Sequence, residues 1–272
     1  MKELIKKIEQ NQETIANYGK IDLSILNKIN YKIRLDWNYY SNRMEGGTLT
    51  RAETRSVMVQ VIDVRGKSLK DVLEMTGHDK VISEILNIVD KSATRISEKR
   101  IKQIHQAIMY EPNEKVAKQI GVWKTKPNEI INYKGEKYRF LEPEEVKEAI
   151  HKLLNKLNAD LDSYFNGKAS LNPVILAAQF HIDFLNIHPF YDGNGRVARI
   201  LSNIILISCG YPPVIVKEES KNVYYQLLAE IDSYGADVEL LHNFFASRLI
   251  ETQKLIIEIL GQENRTKKQV NK

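Results

Sequence analysis

The residues that could do chemistry crowd into one stretch, His188-Pro189-Phe190-Tyr191-Asp192-Gly193-Asn194-Gly195-Arg196-Val197-Ala198-Arg199. His188 stands before Pro189, which keeps it out of the α region, so an incoming helix must end just ahead of it. Asp192 to Gly195 is dense in turn residues, and its glycines admit positive φ and close backbone approach. The next helix is expected to begin around Arg196, with free N–H groups and a positive dipole turned to the loop. Arg196 and Arg199, three apart, share one face of that first turn. Without an anion they repel each other and the dipole. With phosphates they become planar, multi-donor clamps. Asp192 is a hard oxygen ligand suited to Mg²⁺ beside a polyphosphate. His188, with an ordinary pKa of about 6.5, is mostly neutral at neutral pH and can take a proton from an incoming hydroxyl. Base, metal ligand and clamp together point to phosphoryl or nucleotidyl transfer. The residues alone leave open which phosphate is attacked.

Other phosphate-binding patterns are missing. There is no Gly-x-x-x-x-Gly-Lys-Ser/Thr loop after a strand and no Gly-x-Gly-x-x-Gly fingerprint. A calcium loop would need further acids and a late glutamate. A plain turn between two core helices is the bland alternative. It calls for none of the histidine, the aspartate or the paired arginines.

The flanking segments must position this loop. Val174 to Ile187 is apolar nearly all round, as are residues 198–209, so two buried helices should enclose it. Pro173 opens the first, and Pro212-Pro213 closes off the second. His181, within the first, reads as a satisfied core histidine. Earlier, Leu26, Ile29, Ile33, Trp37, Tyr40 and Met44 recur at helical steps across 23–45, and Gly46-Gly47 stops that helix. Glu45 sits in its last turn, where the dipole disfavours a carboxylate by about 0.3–1 kcal/mol. Ser41 lies four residues earlier on the same face. A solvated glutamate is the plain reading. The sharper one gives Glu45 a cationic partner elsewhere in the fold.

Thr50-Arg51-Ala52-Glu53 has capping-box spacing and opens a helix whose apolar face continues through Val57, Val61 and Val64. Arg65-Gly66-Lys67 is a break. Ser68 to about Val89 is helical with a turn near Gly77, and Ser97 precedes another helix through Ile101, Ile104, Ile108 and Met109. Ile130–Tyr133 and Lys137–Phe140 read as a hairpin around the three-residue loop Lys134-Gly135-Glu136. Pro143 opens a helix through Leu157, with Val146, Ile150, Leu153, Leu154 and Leu157 inward. Asn166-Gly167 is a turn. Tyr224–Ile231 and Leu240–Leu260 are further helices, and the basic end around Arg265–Lys268 reads as a solvated, disordered tail.

The chain has 272 residues, 43% hydrophobic and 28% charged, enough for a real core. A net charge of +5 and a pI near 9.0 suit a nucleotide or acidic partner without arguing for nucleic-acid binding. The one cysteine, Cys209, lies in an apolar run. That excludes an internal disulfide framework, fits a reducing compartment and makes an inert buried thiol. Met1–Lys7 has charges too closely spaced for a signal peptide, and no apolar run nears the ~20 residues that span a bilayer. A cytoplasmic protein with no membrane association is expected.

The loop resembles the signature of the Fic family, His-x-Phe-x-Asp/Glu-Gly-Asn-Gly-Arg-x-x-Arg, at every specified position: His188, Phe190, Asp192, Gly193, Asn194, Gly195, Arg196 and Arg199. The resemblance covers about residues 23–245. It implies a mostly α fold, a Fic-like helical bundle with one β-hairpin flap. It also implies transfer of AMP from ATP, with Mg²⁺, to a Tyr, Ser or Thr hydroxyl of a target protein. On the matching positions His188 is the general base, Phe190 anchors the loop and Asp192 holds Mg²⁺. Gly193, Asn194 and Gly195 form the anion hole, and Arg196 and Arg199 bind the outer phosphates. A subclass carries Ser/Thr-x-x-x-Glu-Gly/Asn on a helix before the core, matched by Ser41, Glu45 and Gly46. There the glutamate pairs with the second motif arginine, here Arg199, and keeps ATP from docking productively. By the same resemblance the hairpin is a flap that aligns a target segment by strand addition. The expected organisation is an N-terminal helical region (1–92) with the inhibitory helix, a catalytic core (93–250), and a helix end with a basic tail (251–272).

Three other readings compete. Within the fold, Glu45 could position a water and remove AMP from a modified protein, or the donor could be another nucleotide or phosphate. From a different class comes a non-catalytic nucleic-acid-binding module, which the intact motif disfavours. A homo-oligomer is compatible with the sequence.

Overall fold

The two apolar segments around the loop fold as expected and pack against each other at the centre of the molecule. In the computed structural model, which describes residues 1–60, 66–87, 95–168 and 171–270 (264–270 by backbone alone), they are the eighth and ninth of eleven α-helices. In chain order come α1 (Lys2–Ala16), α2 (Leu23–Met44), α3 (Arg51–Met58), α4 (Leu69–Leu86), α5 (Glu98–Ile108) and the short α6 (Glu114–Ala117). The hairpin β1 (Glu129–Ile131) and β2 (Lys137–Arg139) follows. Then come α7 (Pro143–Phe165), α8 (Pro173–Ile187), α9 (Asn194–Ser208), α10 (Lys221–Tyr234) and α11 (Glu239–Val270). The fold is therefore mostly helical with one two-stranded antiparallel hairpin. One apolar core runs through all three stretches expected from the sequence, from Ile8 and Ile33 through Ile101, Phe184 and Ile200 to Leu260. Among the described residues no helix is long and apolar enough to cross a membrane.

Local chemistry accounts for many of the boundaries. Thr50 forms the full capping box with Glu53. The side chains of Ser68, Ser97 and Asn172 cap α4, α5 and α8, satisfying N–H groups that a helix start leaves open. Gly46, in the left-handed region, turns the chain away from the end of α2. Asn11 and Gln253 bond to each other, and Gln253 donates to the Ile8 carbonyl, fastening α1 to α11.

Several expectations need correction. On α2 it is Ile25, not Leu26, that is buried with Ile29, Ile33 and Trp37, because a spacing of four follows the helix–core contact more closely. There is no turn at Gly77, which lies inside α4. A Cβ there would collide with the Ala107 carbonyl of α5, so the glycine serves close helix packing rather than a bend. The hairpin pairs Glu129 with Arg139 and Ile131 with Lys137, which leaves a five-residue loop, 132–136. That loop forms because the Asn132 side chain accepts from the N–H groups of Lys134 and Glu136. Helix α7 runs on to Phe165 and buries Leu161 as well. Helices α10 and α11 are longer than expected, and the backbone stays helical through the basic end to Val270. Helix α9 begins at Asn194, two residues before Arg196, since Gly193 at φ 77 already serves as its N-cap. Cys209, with Gly210 at φ 85 behind it, ends α9 before the prolines are reached. Val61, Val64, Arg65 and Val89 lie outside the described residues.

Gly77→Ala forces α4 and α5 apart. It should cost about 1–3 kcal/mol, visible in thermal denaturation as a lowered Tm with secondary structure retained below it. An unchanged Tm would show that the contact can relax freely.

Candidate functional site

His188 ends α8 with φ 48 and ψ 60, a left-handed conformation and not the extended one a following proline favours. Its Nδ1 bonds to the Leu185 carbonyl at 3.3 Å. Since a carbonyl only accepts, Nδ1 carries the hydrogen and Nε2 keeps its lone pair. The ring stacks on Phe140, just past β2, with centroids 3.7 Å apart. Burial is the main reason the imidazole's pKa falls to about 4. Lys124 adds to that, while the bond to Leu185 and the charge of Asp192 oppose it. The His188 imidazole is thus neutral across the physiological range.

The loop itself is held from below. Phe190 is fully buried and stacks on His105 at 3.8 Å. The Gly121 N–H donates to His105 Nδ1, so Nε2–H donates to the Asp192 carbonyl at 2.9 Å. The Asn194 side chain accepts from Phe190 N–H and donates to Phe190 carbonyl, both at 2.9 Å. Asn194 Oδ1 and one of its two amide hydrogens are so engaged, and its backbone N–H stands at the open start of α9. Gly193 is required twice over: its φ is 77, and a Cβ would sit 2.6 Å from Met109 Sδ. The Asp192 carboxylate accepts from Gly193 N–H at 2.6 Å and is otherwise exposed.

The two arginines part company. Arg196 is buried and paired with Glu74 of α4 at 2.6 Å. Arg199 turns to α2: it donates to the Ser41 hydroxyl and carbonyl, each at 3.1 Å, and to Glu45 Oε1 at 2.6 Å. Burial alone would lower the pKa of Arg199, but the adjoining Glu45 carboxylate outweighs it and raises it. Its Nη1 is buried without a partner among the described residues. Glu45 lies so close over the start of α9 that a Cβ on Gly195 would sit 2.6 Å from its Oε1. A carboxylate of the chain itself therefore stands at the helix N-terminus, where an external anion would be attracted.

These groups line one cavity of about 550 Å³, with His188, Asp192, Gly193 and Gly195 on one side and Glu45, Arg199, Tyr224 and Tyr225 on another. Asp232 of α10 closes a further wall, its carboxyl pushed up to about 7 by burial. Residues of the hairpin, Glu129 to Tyr133 and Tyr138, line the cavity as well. The hairpin tip is fastened to α10 by Asn132 donating to the Tyr234 hydroxyl at 2.9 Å, by Tyr133 donating to Glu230, and by Tyr234 donating to Glu136. Lys134 lies 3.7 Å from the Tyr234 ring centroid.

Residues 95–206 match the family model described as Fic/DOC family. The chain carries a Fic domain. The protein adenylyltransferase Fic of Drosophila willistoni is 32% identical over 196 residues, covering 70% of this chain and 35% of that protein. Its namesake from Nematostella vectensis is 27% identical over 227 residues, covering 83% and 49%. The chain thus spans only a third to a half of these curated relatives. A Fic-domain-containing signalling protein of Bacteroides thetaiotaomicron superposes with a TM-score of 0.82 at 28% identity, over 94% of this chain and 97% of that one. Fic-1 of Caenorhabditis elegans shares the fold, with a TM-score of 0.77 at 22% identity, over 95% and 71%.

Of the residues singled out, His188, Asp192, Gly193, Asn194, Gly195, Arg199 and Glu45 line this cavity. Phe190 and Arg196 are buried away from it, Ser41 holds Arg199 from α2, and Gly46 turns the chain after Glu45. Sequence reasoning missed Glu74, His105, Lys124, Asn128 and Phe140. Glu74 had a readable signal, since it falls on the buried stripe of α4 with His78, Val81 and Ile85. A carboxylate on such a stripe calls for a cation. The other four carry no local pattern. His181 is the satisfied core residue expected, bonded to Ser202 and Tyr224.

Four histidines, three of them buried and His188 half-buried, are held neutral. The pKa values of His105 and His188 fall to about 4, that of His181 to about 3, and that of His78 well below its usual value, in each case chiefly by burial. A folded-state pKa below the unfolded one means that unfolding takes up protons. The stabilisation is complete above about pH 6.5 and is lost as pH falls towards 4. Each histidine contributes up to about 1.4 kcal/mol per pH unit in that window. Denaturant midpoints should therefore drop steeply between pH 6.5 and 4.5, and less steeply in His181→Asn. A flat profile there would contradict the neutral assignment.

Proposed function

We propose that this chain is a protein adenylyltransferase, moving AMP from ATP to a side-chain hydroxyl of a target protein, and that Glu45 holds it inactive. The observation that carries the reading is the pairing of a free, neutral His188 Nε2 with an anion-attracting helix start in one cavity. The adenylyltransferase names of the relatives support it.

ATP would lay its phosphates over the N–H groups that open α9, between Gly193 and Arg199. His188 Nε2 would take the proton of a Tyr, Ser or Thr hydroxyl as that oxygen attacks the α-phosphorus and pyrophosphate leaves. Asp192 is the acid at the loop, and among the described residues no group of three or more acids, histidines or cysteines could hold a metal alone. That fits Mg²⁺, which commonly relies on one or two carboxylates plus substrate phosphates. Held by Asp192, it would offset charge on the departing pyrophosphate. The Arg199 guanidinium, with Nη1 already unpartnered, would meet the γ-phosphate once Glu45 leaves. Until then Glu45 claims Arg199 and repels the phosphates. Gly46 lets the chain turn away directly after it. The hairpin, with Ile130 and Ile131 exposed, would align a target segment by strand addition.

A second reading rests on the place of Glu45. Its carboxylate lines the same cavity as His188, so it could orient a water against an AMP-modified side chain and remove the AMP. The two readings separate on Glu45→Gly.

With ATP and Mg²⁺, Glu45→Gly should raise self-modification by tenfold or more, about 1.4 kcal/mol in inhibition, seen by intact-mass spectrometry as a gain of one AMP. His188→Ala should abolish that gain, with nucleotide binding by calorimetry largely intact. Transfer persisting in His188→Ala would sink the base assignment. Loss of AMP release from a modified protein in Glu45→Gly would favour the second reading.

A further inference from the structure

His188 is one of two non-glycine residues with positive φ among those described, the other being Gln60. Such a conformation in a histidine persists only when its surroundings impose it. The signature loop does not supply that restraint alone.

The segment after α6 does. The backbone N–H of Lys124 donates to the Pro189 carbonyl at 2.8 Å. The Lys124 ammonium reaches the Ile187 carbonyl at 3.4 Å and donates to Asn128 Oδ1 at 2.8 Å. The Asn128 amide donates to the Phe190 carbonyl at 3.0 Å. Two residues thus hold the carbonyls of 187, 189 and 190, on both sides of the base.

The ammonium is buried and forms no ion pair with a carboxylate among the described residues. It lies 6.0 Å from the centre of Phe140, the ring on which His188 stacks. A buried, unpaired cation is costly, and a methionine would fill the space without that cost. What the lysine provides and methionine cannot is a donor to backbone carbonyls and a positive charge beside the imidazole.

We propose that Lys124, with Asn128, is the positioning residue of the base: it clamps the backbone around His188 so that the ring keeps its Nδ1–H tautomer and turns a bare Nε2 to the reacting hydroxyl. The assignment rests on the reading of His188 as the base. The charge acts in the same direction as the clamp, because a neighbouring cation opposes protonation of Nε2. The other charged groups around His188 are Asp192, which favours its protonation, and Glu45, Arg199 and Asp232 on the cavity walls.

The test uses the full chain labelled with ¹⁵N-histidine, the His188 signal being assigned by its absence in His188→Ala. In the unmutated chain His188 should be the neutral Nδ1–H tautomer down to pH 5. In Lys124→Met its titration should move up by about one unit and the tautomer should become mixed. The kcat for AMP transfer, measured in the Glu45→Gly background, should fall at least about tenfold with KM for ATP within about twofold. Lys124→Arg should recover the tautomer and most of the rate. Asn128→Ala removes the hold on Phe190 and the acceptor of the Lys124 ammonium but leaves the charge in place, so kcat should fall with little change in titration, and it serves if Lys124→Met does not fold. Unchanged His188 titration, tautomer and kcat in Lys124→Met, or in Asn128→Ala an unchanged tautomer and kcat, would overturn the proposal. So would a Lys124→Arg variant as impaired as Lys124→Met. If His188→Ala itself transfers AMP, the base reading fails, while the magnetic-resonance readout still reports whether Lys124 sets the state of His188.

Discussion

A buried guanidinium must have an anion, and the architecture of the site follows from that. Arg199 is 6% exposed and Glu45 29%, and their contact is 2.6 Å. Removing one member of such a pair leaves a charge stranded at a cost of roughly 3–5 kcal/mol when both are deeply buried, and less here because Glu45 is partly solvated. Glu45 can therefore leave only when another anion arrives or when α2 shifts. The same contact explains Gly195, since any side chain there would displace the carboxylate. Beside Glu45, the Ser41 hydroxyl takes Nε and the Ser41 carbonyl takes Nη2 of Arg199, which leaves Nη1 without a partner among the described residues.

The second arginine obeys the same rule differently. Arg196 is neutralised by Glu74 and walled in by Met109 and the end of α5. Two like charges three residues apart beside a positive helix end would be untenable unpaired. The fold answers with one carboxylate from α4 and one from α2. Glu74 and Arg196 line a small neighbouring pocket of about 120 Å³, whereas Glu45 and Arg199 line the larger cavity beside His188. The polar contacts that seat α2 on α4, with Asn38 accepting from both Asn42 and His78, keep Glu45 in register with Arg199.

Much of this was legible before any coordinates. The periodicity of α2, α5, α7, α8 and α9 marked the helices, and Thr50, Ser97 and Pro143 marked where some begin. The density of turn residues located the loop. A carboxylate at the wrong end of a helix offered two readings for Glu45, a solvated side chain or one with a cationic partner, and the contact with Arg199 selects the second. The errors have separate causes. Gly77 read as a turn because only the neighbouring α5 backbone reveals that it is a packing glycine. The start of α9 was misplaced because Gly193 caps a helix with its own left-handed backbone, which no side-chain pattern signals. The basic end stayed helical because helix propagation needs only each residue's own backbone, whatever its charge.

The sequence by itself determined the chemistry on offer: a base, a hard oxygen ligand, two arginines and a helix start within twelve residues. It also determined the helical frame, since both are written in neighbours close along the chain. Tertiary structure alone decided which carboxylate meets which arginine. It also decided that His105 and Phe140 sandwich the loop between two stacked rings, and that Lys124 and Asn128 restrain His188. Those partners lie 48 to 154 residues away from the groups they serve. Burial, which sets the charge state of His188, is a property of the packed core and of no single segment.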